Sequence, residues 1–185
     1  LMTRTELMSL YGRRAVDFQG RLVQVQKKIN VISTIRVLIA IAIAYAVYLS
    51  FQETNYVFLF FVLVAAFVGF MQWHNRLFAK RALTENLVKI NNGEKDALQG
   101  NVSSQPSGQE FVDTHHPFTH DLDIFGEGSL FQYLNRANTV AGKQGLADVL
   151  SSPTNNANEV RKNQEAIREL AGKLEFRQLD QATAA

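Results

Sequence analysis

The sequence has no cysteine and almost no net charge, and both absences narrow the classes of protein to which it can belong. Without cysteine the chain has neither a disulfide framework nor a thiolate metal site, which fits a reducing compartment. Its 19 Lys and Arg residues against 17 Asp and Glu residues leave a formal net charge of +2, too small to indicate nucleic-acid binding. The positions of the charges are more informative than their sum.

Motifs for phosphate binding and catalysis are also missing. The glycines of Gly126–Gly128 and the segment AGKQG around Lys143 lack the G-x-x-x-x-G-K-[ST] spacing of a phosphate-binding loop. No Ser, His and acid arrangement and no pair of carboxylates can be singled out. The sequence therefore predicts no catalytic and no cofactor-binding residue. Five basic residues of the C-terminal half are interpreted as a solvated face: Arg136, Lys143, Arg161, Lys162 and Arg168.

One cluster contains side chains of the types that bind metal ions. Its members are His115, His116, His120, Asp121 and Asp123. Two adjacent histidines point in different directions on a helix or a strand, and the segment has no recognised metal-ligand spacing. We interpret it as an extended stretch in which the aspartates accept backbone hydrogen bonds and Pro117 fixes a turn. No metal ligand is predicted.

What the chain does contain is two long uncharged runs. Residues 37–52 carry no formal charge, and residues 54–75 carry none unless His74 is protonated. A membrane crossing takes roughly 17–25 residues, so spans are predicted at about 31–51 and 56–73, with Arg36 reaching back toward the headgroups. Only Gln52 to Asn55 separate the runs, which predicts an antiparallel transmembrane hairpin. The alternative, two buried helices in a soluble core, needs more surrounding protein than a domain of this size supplies.

Basic residues flank the hairpin on both sides, whereas its turn carries only Glu53. The positive-inside bias therefore places both termini in the cytoplasm. A cleaved signal peptide is not expected, because the first run starts some 30 residues in and is followed at once by a second. The flanking residues are Arg13, Arg14, Arg21, Lys27, Lys28 and Arg36 before the pair, and Arg76, Lys80, Arg81 and Lys89 after it.

Apolar residues recur at steps of four and three before the first span. They are Tyr11, Ala15, Phe18, Leu22, Val25, Ile29 and Ile32. This seam predicts one amphipathic helix that runs into the span. We interpret the seam as packing against the helix that leaves the membrane; a coiled-coil homodimer and a helix lying flat on anionic lipid are the alternatives. The predicted partner face consists of Trp73, Leu77, Leu83, Leu87 and Ile90.

Three short helices are predicted after a linker over residues 91–114, which is rich in Gly, Ser, Asn and Gln. The first helix begins at Leu130, because Ser129 and Gln132 form a capping-box pattern. The second begins after Asn138 or Thr139 and stops before Pro153. The third runs from Asn156 to Phe176.

Apolar residues on the second and third of these helices predict their buried faces. The second helix contains Gly142 and Gly145, and we expect Gly142 to face a tight helix crossing and Gly145 to face solvent. The faces predicted to be apolar are Val140, Leu146, Val149 and Leu150 on the second helix, and Val160, Ile167, Leu170, Ala171 and Leu174 on the third.

The predicted fold class is thus all-α. A transmembrane hairpin with long cytoplasmic helical extensions occupies residues 1–90, a linker follows over 91–114, and a small bundle of short helices occupies 115–185. Each of the three short helices is polar on one side and has only a narrow apolar face on the other, so together they are not expected to form a complete hydrophobic core.

Residues 121–153, DLDIFGEGSLFQYLNRANTVAGKQGLADVLSSP, and 158–178, NEVRKNQEAIRELAGKLEFRQ, resemble the MutS family of ATPases at the beginning of the helical core, or lever, domain. The order that matches is a Gly-Ser-Leu helix, a Leu-Asn-Arg-x-x-Thr turn, a Gly-containing helix, a Pro-ended loop and a helix with the pattern Arg-x-x-Gln-Glu-Ala-Ile-x-Glu-Leu. The match covers roughly His115 to Ala182. It is most similar to the variant, found in bacteria of the Bacteroides kind, in which a membrane hairpin precedes the core.

The resemblance implies that this chain is the anchor and first part of the core domain of a DNA-binding ATPase of the DNA repair and recombination class. It also implies a bacterial inner membrane, with ATP and Mg²⁺ bound only in a C-terminal domain expected beyond Ala185. Mismatch reading is not implied, because FRQ at Phe176 lies in a different domain from the family's Phe-x-Glu element. The alternative is a membrane scaffold or assembly module that binds a protein partner without nucleotide.

Overall fold

The structure, a computed structural model, describes residues 2–51 and 56–184, without the side chain of Tyr56. Over these residues the protein is all-helical, which confirms the predicted fold class, and its two long helices pack together as a hairpin-like pair. The predicted turn, Gln52 to Asn55, lies outside the described residues. The helices are α1 (Arg4–Ser50), α2 (Tyr56–Leu98), α3 (Leu130–Leu134), α4 (Val140–Ser151), α5 (Ala157–Ala171) and α6 (Leu174–Thr183), and a 3-10 turn at Gln109–Phe111 precedes α3.

The chain forms two compact units. The hairpin unit is Asp17–Glu85, and the head unit combines Leu1–Val16 with Asn86–Ala185. The start of α1 and the end of α2 therefore belong to the head unit, together with the short helices. This division differs from the sequence-based one, which grouped residues 1–90 and set 115–185 apart.

Within the hairpin unit the predicted seam of α1 is buried. Val25, Ile29 and Ile32 are only 3–6% exposed, and Phe18 and Leu22 are half-buried. Since α1 packs on α2 in a single chain, the burial of these residues agrees with our interpretation of the seam. Trp73 was wrongly placed on the partner face, because it is 55% exposed and its ring stacks on Phe70 of the same helix.

The end of α2 differs from the prediction of a linker from Asn91, because the helix continues to Leu98. Asn91 and Ala97 are buried there, so tertiary packing offsets the weak helix propensity of this polar stretch. The helix stops in a Schellman motif: Gly100, at φ 89°, donates to the carbonyl of Ala97, and the Asn101 N–H donates to that of Asp96.

The segment that follows α2 is an ordered loop with its own small aromatic core. The rings of Phe111, Phe125 and Phe131 lie 5.4–5.7 Å apart, and Phe131 is fully buried. Gly108 has φ 71°, and a Cβ there would lie 2.6 Å from the Phe131 ring, so both the backbone conformation and the close approach require glycine. Part of the predicted linker is therefore packed rather than extended.

The starts of the short helices confirm the capping predictions. Ser129 accepts a hydrogen bond from the Gln132 N–H at 3.2 Å, and Gln132 Oε1 accepts one from Gly128 N–H at 2.7 Å. Thr139 is the N-cap of α4, and Asn156 is the N-cap of α5. Side-chain oxygens thus satisfy N–H groups that the first turn of each helix leaves without partners.

The predicted buried face of α4 is only partly correct. Val140 and Val149 are 84% and 60% exposed, whereas Ala147 is buried and Leu146 and Leu150 are half-buried. The apolar stripe of α4 thus runs through these last three residues, at spacings of one and three, and leaves both valines in solvent.

The two glycines of α4 differ as predicted, although the reason is not a helix crossing. A Cβ on Gly142 would lie 2.9 Å from both Ala137 Cβ and Thr139 Oγ1, whereas one on Gly145 would meet nothing within 4 Å. The close neighbours of Gly142 belong to the chain that enters α4. The required space is local to this helix start.

The third predicted helix is two helices, because α5 ends at Ala171 with Gly172 as its C-cap and α6 begins at Leu174. Every residue of α5 is exposed, including Val160, Ile167 and Leu170 of the predicted apolar face. In the described residues this face has no cover. Helix α6, by contrast, buries Gln178 and Ala182.

Candidate functional site

Helix α6 is held in the head unit by a buried pair of amides. Asn91 on α2 is fully buried and Gln178 on α6 is 3% exposed. Gln178 Nε2 donates to Asn91 Oδ1 at 2.9 Å, and Asn91 Nδ2 donates to Gln178 Oε1 at 3.3 Å and to the carbonyl of Leu87 at 2.7 Å. A reciprocal amide pair has fixed geometry, so it sets the position of α6 along α2.

The start of α1 joins the same network through Arg14. Its Nε donates to Gln178 Oε1 at 3.1 Å, and its guanidinium lies 3.6 Å from the Glu175 carboxylate. The ion pair contributes little because Glu175 is almost fully exposed, whereas the hydrogen bond to a buried amide oxygen is charge-assisted. Segments far apart in sequence thus meet at one glutamine.

Two asparagines bind the C-terminal turn of α6. Asn138 Nδ2 donates to the carbonyl of Gln181 at 2.7 Å, and Asn86 Nδ2 donates to that of Ala182 at 3.0 Å. Carbonyls in the last turn of a helix receive no hydrogen bond from an N–H group of the same helix, so the two asparagines supply the missing donors. We call Arg14, Asn86, Asn91, Asn138 and Gln178 the α6 junction.

An ion pair lies close to this junction and attaches the turn after α3 to α2. Arg136 donates to both carboxylate oxygens of Glu94, at 2.6 and 3.2 Å, and to the carbonyls of Tyr133 and Asn135, at 3.0 and 2.8 Å. The guanidinium is thereby engaged on both sides and only partly exposed. The interpretation of Arg136 as part of a solvated face is wrong, whereas Arg161, Lys162 and Arg168 are exposed as expected.

A cavity of about 380 Å³ lies beside these residues. Charged and apolar side chains line it together, among them Tyr11, Glu94, Arg177 and Leu174. Burial raises the pKa of the Tyr11 phenol above its ordinary value and the charge of Glu94 adds to the rise, while Arg177 and Arg136 oppose it. The phenol therefore stays neutral over the physiological range and acts as a hydrogen-bonding group rather than a base.

The histidines of the predicted cluster make contacts within their own segment. His115 is exposed beside Asp113, with 3.7 Å between His115 Nδ1 and the carboxylate, and His116 Nδ1 accepts hydrogen bonds from the backbone N–H groups of Thr119 and Phe118 at 3.3 and 3.5 Å. Asp123 has a positive φ of 48° in the turn before Ile124. Among the described residues no group of three His, Cys, Asp or Glu side chains is arranged to hold a metal ion.

The glycines at Gly126 and Gly128 have their N–H groups engaged inside the chain. Gly126 donates to the carbonyl of Ser107 at 2.9 Å, and Gly128 donates to Gln132 Oε1 at 2.7 Å. A phosphate cradle needs backbone N–H groups that point toward the ligand. These two N–H groups instead close the turn that leads into α3.

Sequence reasoning missed the α6 junction because it treated Asn91 and the residues after it as a linker. The available signal was spacing: Asn91 lies four and seven residues after Leu87 and Thr84, on one face of a continued helix.

Comparison of the chain with models of protein families, with curated proteins and with solved structures finds no match. The hydrogen bonds of the α6 junction join its side chains to one another and to backbone carbonyls, and thereby hold helices together.

Proposed function

We propose that this chain is a membrane anchor that carries a helical head on the cytoplasmic side. One observation carries the proposal: both long helices are long and apolar enough to cross a membrane, and their most apolar stretches are 11% and 0% buried within the protein. Large side chains such as Leu38, Ile41, Phe58 and Phe61 are more than 60% exposed on these stretches. So large an apolar surface is unfavourable in water and favourable in the hydrocarbon of a bilayer. Within a helix the backbone N–H and C=O groups bond to one another, so the helices need no hydrogen bonds from the lipid.

The orientation follows from the head unit and from charge. The head unit combines residues from before the first predicted span with residues from after the second, which supports an even number of crossings. Lys and Arg residues flank both spans, so we place the head and both termini in the cytoplasm. The resemblance to the MutS family implies that the membrane is the inner membrane of a bacterium.

The longer protein that we propose around this anchor is a MutS-like, DNA-binding ATPase. The support is the sequence resemblance together with the order of α3, the Asn135–Thr139 turn, α4, a Pro153 loop and α5, which is the order that the family pattern requires. ATP and Mg²⁺ would then bind outside this chain, and any DNA contact or homodimer would belong to the longer protein. The exposed apolar face of α5 is equally compatible with a scaffold that binds a protein partner.

Single cysteines test the anchor, because the natural chain has none. In intact cells an impermeant thiol reagent is expected to label Asn55→Cys in the predicted turn and not Gln99→Cys in the head. Gln99 is exposed and precedes Gly100, whose positive φ makes that glycine unsuitable for substitution. After the membranes are opened, both variants should react. Labelling of Gln99→Cys in intact cells, or release of the chain by alkaline carbonate, would contradict the proposal.

The MutS-like assignment needs a separate test. We expect the coding sequence that continues this reading frame to contain a phosphate-binding loop of the form G-x-x-x-x-G-K-[ST], and the chain of 185 residues to show no saturable binding at micromolar ATP. Calorimetric titration with Mg-ATP measures the second point. A continuation without such a loop would support the scaffold, and tight ATP binding by the present chain would overturn the division of roles.

A further inference from the structure

Arg36 is a cation in a part of the molecule that offers it no anion. It lies in the first predicted span, and its guanidinium carbon is 5.3 Å from the centre of the Phe67 ring on α2. Its Nε is buried, and the described residues provide no hydrogen-bond partner for it. The sequence has no Asp or Glu from residue 18 to 52 or from residue 54 to 84. The acidic residues of the hairpin unit are Asp17, Glu53 and Glu85, which border these stretches in the sequence. A counter-ion at the position of Arg36 would therefore have to come from outside the chain.

A groove beside Arg36 is lined by both polar and apolar residues. It has a volume of about 320 Å³, and it is lined by Ser33, Arg36, Val37, Ala40 and Phe67. Ser33 and Arg36 are polar and lie about one helical turn apart on α1, whereas Val37, Ala40 and Phe67 are apolar. The groove thus combines two hydrogen-bond donors with a hydrophobic wall.

The depth of Arg36 places these donors near the headgroups. From Arg36 to Ser50, the last residue of α1, is 14 residues, or about 21 Å of helix. The hydrocarbon layer is about 30 Å thick. Side chains of a helix tilt toward its N-terminus, which on α1 is the cytoplasmic end in our proposal. The guanidinium therefore reaches the phosphate level of the cytoplasmic leaflet.

From these observations we propose that the groove binds one anionic phospholipid, with its phosphate on the Arg36 guanidinium and the Ser33 hydroxyl and an acyl chain against Val37, Ala40 and Phe67. An anionic headgroup is favoured over phosphatidylethanolamine, because an ammonium group needs an acidic partner and the hairpin has none nearby. This inference rests on the proposed membrane insertion and adds a ligand to it.

The test uses the whole chain in vesicles of phosphatidylethanolamine and phosphatidylglycerol, with spin-labelled lipids of each headgroup. Electron paramagnetic resonance measures how strongly each labelled lipid is immobilised at the protein surface. We expect a preference of about fivefold for phosphatidylglycerol, the ratio that one basic group near the surface provides. At 1 M salt, where exposed charges are screened, Arg36→Gln should reduce this preference to nearly one.

Salt separates the groove from general attraction to basic residues. At 1 M salt the Debye length is about 3 Å, so contributions of exposed surface charges vanish, whereas a contact in a groove persists. Arg76→Gln removes an exposed charge after the second span and serves as the matched control, with no effect expected at high salt. Ala40→Phe fills the groove without changing charge and should also abolish the high-salt preference.

Two failures are distinguishable. If the chain does not float with the vesicles, the proposed membrane insertion fails. If it floats, but Arg36→Gln and Ala40→Phe both keep the high-salt preference of the natural chain, the lipid site is overturned and the insertion stands.

Discussion

Replacing Gln178 by leucine is expected to loosen α6 more than any change at an exposed glutamine. Leucine is similar in size but removes the donor to Asn91 Oδ1, which then stays buried without it. A buried acceptor that loses its partner destabilises a protein by about 1–3 kcal/mol. Asn91 Nδ2 keeps its bond to the Leu87 carbonyl, so the effect is confined to one oxygen and to the Arg14 contact.

The double variant Asn91→Leu/Gln178→Leu separates the amide pair from the packing around it. With both polar groups replaced, no unsatisfied amide remains between the helices, and the double variant should be more stable than the sum of the single effects by roughly 0.5–3 kcal/mol. Hydrogen exchange of the α6 amides in the membrane-reconstituted chain measures the opening free energy of this helix. Gln19→Leu, at an exposed glutamine of α1, is the control and should change nothing beyond about 0.5 kcal/mol. Strict additivity of the single variants would refute a coupled pair.

Two further predictions concern α4 and Tyr11. Gly142→Leu should destabilise the head by about 1–3 kcal/mol, since even a Cβ would lie 2.9 Å from Ala137 and Thr139, whereas Gly145→Ala should stabilise it by roughly 0.4–1 kcal/mol. Thermal unfolding of the chain in micelles measures both, and a neutral Gly142→Leu would contradict the close approach. Because the folded pKa of Tyr11 lies above its ordinary value of 10.0, its unfolded form loses the proton first. The stability that Tyr11 contributes is thus complete below about pH 10 and declines as the pH rises toward the folded pKa. Tyr11→Phe should therefore make the urea midpoint fall less steeply between pH 9.5 and about 11 than it does in the natural chain. An unchanged slope would speak against the burial argument.

The helix types and starts were predictable because their signals are local. An uncharged run of membrane length, a serine three residues before a glutamine and a proline after an apolar stretch each indicate a helix or its end from one continuous piece of sequence. The break between α5 and α6 was also local, at Gly172, and was missed because the apolar spacing continued through it to Leu174.

The α6 junction was not predictable in the same way, because each of its bonds joins distant residues. Asn91 and Gln178 are 87 positions apart, and Arg14 and Gln178 are 164 apart. Nothing in the surroundings of an asparagine in the stretch NNGEKD shows that an amide from the end of the chain will satisfy it. Tertiary pairing overrides the local composition there, and the polar stretch becomes the end of a helix.

Helix α5 presents an apolar face that the described part of the head unit leaves exposed. Its 15 residues are all exposed, and isolated helices of this length are marginal in water even with good helix-forming sequences. Asn156 and Glu159 favour its start, and Arg168 favours its end, but such interactions typically contribute about 1 kcal/mol each or less. The apolar side chains Val160, Ile167 and Leu170 therefore provide stabilisation only when something covers them. Both proposed functions supply that cover, as further core helices of a longer ATPase or as a bound protein, whereas a head that acts alone supplies none.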